Sequence, residues 1–141
     1  MRVFIDSSAW LKNYLAEPGC VRVRAQLREA SEVILSVIAW PEALSALNRQ
    51  RREAGLDAES YAVAKGRIEQ DLHYATVVPL TTDVLTRAVW CLENATMRAG
   101  DAMHVATALE VMPDRFISSD HQQCEAARTM GLDVEEVTSD E

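Results

Sequence analysis

Val3-Phe4-Ile5 is an apolar run that stops at a carboxylate, Asp6, and is followed by two hydroxyls, Ser7 and Ser8. Such a run, with no polar alternation, predicts a strand buried on both faces, the kind found in the middle of a parallel sheet. The helical spacing of Ala9, Leu11 and Leu15 predicts that the chain turns straight from this strand into a helix. Ligands of open α/β sheets collect at the carboxyl ends of the strands, where the strand order reverses. Asp6 is expected there.

The rest of the chain alternates in the same way. A short helix over 8–15 ends at Pro18-Gly19, and a second follows with Val21, Ala25, Leu27 and Ala30 on its apolar side and Arg22, Arg24 and Arg28 opposite. A β-branched strand over 33–37 leads to a helix over 40–54, with Ala43, Leu44 and Leu47 inward, Pro41 in the first helical position and Gly55 closing it. Asp57 caps a helix to about 73 with Tyr61, Ala64 and Ile68 on its apolar face, and the strand over 76–80 carries a proline suited to an edge. Helices over 83–93 and 101–112, a strand over 115–119, a helix from Asp120 to Gly131 and a weak strand over 134–137 complete the pattern. This alternation predicts an α/β fold with a parallel sheet and right-handed helical crossovers. Residues 1–137 form the expected domain, and 138–141 an acidic tail.

At 141 residues the chain is long enough to bury one core without staples. Its three cysteines, Cys20, Cys91 and Cys124, are odd in number and lack any C-x-x-C spacing, so they are expected as reduced thiols in a reducing cytoplasm. Asp6 interrupts the first apolar run too early for a signal peptide, and no stretch approaches the roughly 20 apolar residues of a membrane span. The net charge of −8 speaks against nucleic acid on the sum alone. Carboxylates that hold a divalent ion are not bare negative surface, however, and Asn48-Arg49-Gln50-Arg51-Arg52 and Lys65-Gly66-Arg67 could line a groove.

Four acids stand at helix starts: Asp6, Glu42, Asp101 and Asp120. Each is explained singly as a cap or first-turn acid, and Asp120 with Gln123 has the spacing of a capping box. Helices that cross back between parallel strands start at the carboxyl edge of the sheet, so all four share one rim. Crowded carboxylates repel, and a divalent cation removes that penalty. An oxygen set without sulfur or clustered imidazole points to Mg²⁺ or Mn²⁺, and such a site suits phosphodiester hydrolysis.

The stretch Val3-Phe4-Ile5-Asp6-Ser7-Ser8, the helix opened by Glu42, the segment Arg98-Ala-Gly-Asp101-Ala-Met-His104-Val-Ala-Thr-Ala-Leu109 and Phe116-Ile-Ser118-Ser-Asp120 resemble PIN-domain ribonucleases, above all the VapC toxins of toxin-antitoxin pairs. The resemblance covers residue 2 to about 137. It implies a three-layer α/β/α domain with strand order 3-2-1-4-5 and a Mg²⁺- or Mn²⁺-dependent endoribonuclease site. The metal-holding acids would be Asp6, Glu42, Asp101 and Asp120. Ser7 and Ser118 would match hydroxyls beside them and, with Arg98, are the candidates for contact with an RNA phosphate. It further implies a cognate antitoxin protein, which restrains the enzyme at the acidic rim, and a homodimer.

Around these residues, Arg98 could reach a phosphate or form a surface ion pair. His104, one turn after Asp101, is expected to pack beside the sheet with one hydrogen bond, and His121 to point elsewhere. Trp10, Trp40 and Trp90 are expected as buried anchors or contact residues. Two rivals share the topology. A phosphoryl-transfer domain of the receiver or haloacid-dehalogenase kind wants a second acid beside the first or D-x-D, where this chain has Asp6-Ser7-Ser8. A catalytically silent interaction module would have no chemical reason to hold four acids together.

Overall fold

The computed structural model describes all 141 residues. In chain order the elements are β1 (Arg2–Ile5), α1 (Ser7–Leu11), α2 (Cys20–Glu29), β2 (Glu32–Ser36), α3 (Ala39–Glu53), α4 (Ala58–Leu72), β3 (Thr76–Val78), α5 (Thr82–Asn94), α6 (Ala99–Val111), β4 (Arg115–Ser118), α7 (His121–Thr129) and β5 (Val134–Glu136). The five strands form one sheet in the order β3-β2-β1-β4-β5, and every pairing is parallel. The α/β class and the central place of β1 are therefore those expected from the residues, and the strand order is the one the family resemblance implies.

β1 is central because it has no face to give to water. Phe4 pairs in register with Ile34 of β2 and Phe116 of β4. Alternation along the strands then divides the core in two. Val3, Ile5, Leu35 and Ile117 face a cluster built with α1, α2, α3 and α4, whereas Phe4, Ile34 and Phe116 face one built with α5, α6 and α7. Phe4 and Phe116 lie parallel with ring centroids 5.3 Å apart. The result is the three-layer α/β/α arrangement. No helix is long and apolar enough to cross a membrane.

Local chemistry explains most boundaries and corrects several. Asp57 and Thr81 cap α4 and α5 by accepting the N–H of Ser60 and Val84, and Gly55 follows α3 with φ +74°. α1 is shorter than expected, five residues ending at Leu11, with turns continuing to Tyr14. Val21 is exposed and Val23 takes the core position on α2, because Val23, Leu27 and Ala30, at i, i+4 and i+7, form the face that packs on the sheet. Pro41 occupies the third helical position of α3, not the first, and is tolerated because the N–H groups of the first turn have no helical acceptor. The first i→i−4 bond of α3 runs from Glu42 N–H to Ile38 O at 3.1 Å.

The end of the chain is tied back to α2. The Arg22 N–H donates to Asp140 and its guanidinium to Glu135 and to the carbonyls of Ser139 and Glu141. Gly19 makes the approach of the two segments feasible: its φ is +94°, and a Cβ there would stand 3.0 Å from Val137 Cγ1. Replacing Gly19 by Ala combines a left-handed backbone with that contact, and the expected loss is about 1–2 kcal/mol, read as a lower urea midpoint with an unchanged slope.

Candidate active site

The carboxyl edge of the sheet opens into a cleft of about 550 Å³, and among its 17 lining residues only Leu11 and Ala46 are apolar. Asp6, Glu42, Asp101 and Asp120 all line it, brought from four separate segments of the chain. Ser7 and Arg98 stand in the same wall, with Ser8, Lys12, Arg49, His104 and Gln123.

Asp6 is the most constrained. Its N–H continues the sheet by donating to Ile117 O, and its carbonyl accepts the first helical bond of α1 from Trp10 N–H at 2.9 Å. Its side chain is 1% exposed. Oδ1 accepts the Ala9 N–H at 2.9 Å and the Ser8 hydroxyl at 2.8 Å, and Oδ2 accepts the Ser118 hydroxyl at 2.5 Å. Burial nevertheless lifts the Asp6 carboxyl above the usual carboxylate range, against the charge of His104 and these hydrogen bonds. Ser118 turns its other side to Asp120, whose N–H donates to Ser118 Oγ at 3.0 Å. Ser8, to which the sequence alone assigned no role, also accepts the Ser119 N–H at 3.2 Å.

Glu42, in the first turn of α3, accepts the Ser7 hydroxyl at 2.9 Å and lies 2.6 Å from His104 Nε2, both at Oε1. Burial pushes its carboxyl up, but the hydrogen bond and charge of His104, with Ser7 and Arg98, outweigh it and hold Glu42 below the usual range. His104 thus has the single hydrogen bond expected of a packed imidazole, yet its partner is one of the four acids. Its Nδ1 is buried without a partner.

Asp101 does not open α6. The helix begins two residues earlier with Arg98 at its cap, and Asp101, at the third position, accepts the Arg98 N–H at 3.3 Å. The Arg98 guanidinium lies 3.5 Å from Asp101 and 3.6 Å from Asp120 and is largely exposed. Asp120 caps α7 by accepting the Gln123 N–H at 3.1 Å. The reciprocal half of the expected capping box is absent, because Ser118 already takes the Asp120 N–H, and Gln123 Nε2 is left buried and unpartnered.

Other candidates fall away from the cleft. His121 is exposed and pairs with Glu136 at 3.1 Å. Trp10 is buried edge-on to Tyr14, whereas Trp40 and Trp90 are exposed. Burial pushes the Cys124 thiol up to about 12, and it points at Ser118 O behind the cleft wall.

The donors suit a hard divalent cation, for they are carboxylate and hydroxyl oxygens with no thiol among them. A carboxylate offers about four acceptor positions. Asp6 uses three of them, and Glu42 Oε2 receives no hydrogen bond. The acids share the cleft without closing into a coordination group, since no three His, Cys, Asp or Glu side chains gather closely enough to hold an ion. Between Asp101 and Asp120 the positive charge is supplied by Arg98.

Fold and cleft define a class of small α/β/α domains with one parallel sheet and an acidic cleft across its carboxyl edge. A family model described as "PIN domain" matches residues 3–129, and the chain belongs to that family. No protein of curated function matches the sequence. Among solved structures, FitAcB from Neisseria gonorrhoeae superposes with a TM-score of 0.73 at 20% identity, over 94% of this chain and 95% of that one. VapC20 from Mycobacterium tuberculosis, described as a toxin that cleaves the sarcin-ricin loop, gives 0.67 at 18%, over 92% and 95%. DNA-bound VapBC from Salmonella typhimurium gives 0.68 at 13%, over 96% and 98%. At these identities the likeness is one of fold.

The buried Asp6 charge has a cost that can be measured. Its folded pKa lies above the 3.8 of an exposed aspartate, so ionisation opposes folding at neutral pH, and protonation relieves this as pH falls toward 3.8. With chelator present, Asp6→Asn is expected to raise the thermal midpoint at pH 7, by about 3 °C for each kcal/mol relieved. The gain should shrink toward pH 4. A gain that fails to shrink between pH 7 and pH 4 contradicts the desolvation cost assigned to the Asp6 carboxyl.

Proposed function

We propose that this chain is the toxin nuclease of a toxin-antitoxin pair, an endoribonuclease dependent on Mg²⁺ or Mn²⁺. The observation that carries the reading is the convergence of Asp6, Glu42, Asp101 and Asp120 in one polar cleft that cations also line. Membership of the PIN family and the toxin-antitoxin proteins among its structural neighbours support it. The four acids, which line the cleft without closing round one point, would be the residues that hold the ion. When bound, a divalent cation lowers the pKa of water and neutralises charge that grows on phosphate and leaving oxygen.

The chain's own residues do the rest. Ser118 and Ser8 fix the rotamer of Asp6, and Ser7 fixes that of Glu42. Arg98, poised between two acids on an exposed side chain, can turn its fork to a phosphate, a geometry that suits guanidinium. Along α3, Glu42, Ser45, Ala46, Arg49 and Gln50 share the face that lines the cleft, and Arg49 has no carboxylate partner there. It would track the backbone of a single strand. A cognate antitoxin would restrain the enzyme by offering a cation to the same acids. A homodimer, a domain over 1–137 with an acidic tail, and a cytoplasmic site of action complete the proposal.

Purified protein with total RNA and Mg²⁺ or Mn²⁺ is expected to cleave, and Asp101→Asn to lower the rate by about 100-fold or more. Cleavage that persists in that variant or under chelation would sink the mechanism. Failure to cut any RNA, with retained binding of a protein partner, would favour the silent interaction module. In the Asp101→Asn background, Arg49→Ala should weaken RNA binding across sequences and flatten the slope of log K against log salt by about 0.7.

A further inference from the structure

Glu42 is held by one oxygen and open at the other. Oε1 receives both the Ser7 hydroxyl at 2.9 Å and His104 Nε2 at 2.6 Å, while Oε2 receives no hydrogen bond. Oε2 faces the first turn of α6, since a Cβ placed on Gly100 would stand 3.1 Å from it. That turn carries Asp101. The Glu42 side chain is 40% exposed and could otherwise swing, whereas the imidazole that grips it is 2% exposed. His104 in turn is fixed by the core: it sits on α6 one turn beyond Asp101, with the Phe4 ring edge-on at 6.2 Å. Two acceptors do not meet at 2.6 Å, so Nε2 carries the proton.

We propose that His104 is a positioning residue that, with Ser7, locks Glu42 so that Oε2 alone is presented toward Asp101, while Gly100 leaves that oxygen the space it needs. The proposal rests on the metal reading given above. It assigns a task to the D-x-x-H spacing: Asp101 stands in the cleft, and the histidine one turn on reaches across to an acid from a different helix. Partners that orient a ligand are worth about 10–100-fold in metal affinity.

The test uses Mn²⁺ binding to the RNA-free protein, followed by electron paramagnetic resonance, together with the thermal midpoint and the imidazole N–H proton signal. His104→Leu keeps the volume and removes the donor, and is expected to weaken Mn²⁺ binding by about tenfold or more while the fold is retained. His104→Gln places an amide N–H near the position of Nε2 and should restore affinity to within about threefold of the native chain. Equal losses in both variants would mean that the imidazole serves packing alone, which overturns the proposal, as does native affinity in His104→Leu. Gly100→Ala, at a helical position where alanine is favoured, should weaken Mn²⁺ binding without touching His104, and the two effects should not add. Without metal, the native protein should show a slowly exchanging imidazole N–H proton that disappears in Glu42→Ala. If that signal is present but the native chain binds no Mn²⁺, the metal reading fails and the clamp stands. If Mn²⁺ binds and the signal is missing, the clamp fails alone.

Discussion

The structure depends on a carboxyl buried at the end of its central strand. Asp6 is reached only by a strand that both helical layers cover, and such a strand excludes water from the group that follows it. The desolvation penalty of that carboxyl is offset by assigning every polar atom nearby. Its N–H joins β4, its carbonyl starts α1, and its oxygens collect Ala9, Ser8 and Ser118. Core and cleft are consequently one construction. The contacts that hold β1 against β4 also fix the acid, and the hydroxyl of Ser118 passes that order on to the cap of α7.

Much of this was legible from residue order. Apolar runs without alternation marked β1 and β2 as buried, Pro79 marked an edge, and helix crossovers forced the four acids onto one rim. What escaped was set by contacts distant in the chain or by phase. Val21 and Val23 are equally apolar, and the one that faces the core is the one that shares a helix face with Leu27 and Ala30. The Glu42–His104 contact joins residues 62 apart, and the spacing of His104 from Asp101 gave a shared helix face but not the partner across it. Ser8 is a nearer miss: a hydroxyl two residues after a capping aspartate is a local signal for the hydrogen bond it makes.

The net charge of −8 is compatible with the proposed nucleic-acid substrate because of where the cations lie. Not every arginine of the basic stretches serves a groove. Arg51 lies over the Tyr61 ring at 4.5 Å and Arg67 over Tyr14 at 5.3 Å, so both are engaged in cation–π packing. Arg49 and Arg98 remain in the cleft wall among the acids. The sum over the chain therefore describes solubility, while the cleft carries its own mixed field.

The two outer strands have a consequence of a different kind. β3 and β5 are three residues each, β3 runs into Pro79, and β5 ends in Glu135 and Glu136, which are engaged by Arg22, Arg128 and His121. Short, charged, proline-limited edges offer no template on which another chain could extend the sheet. A sheet closed off in this way leaves the helical layers on its two faces as the surfaces it can offer to another molecule, and guards its strands against fibrillar growth.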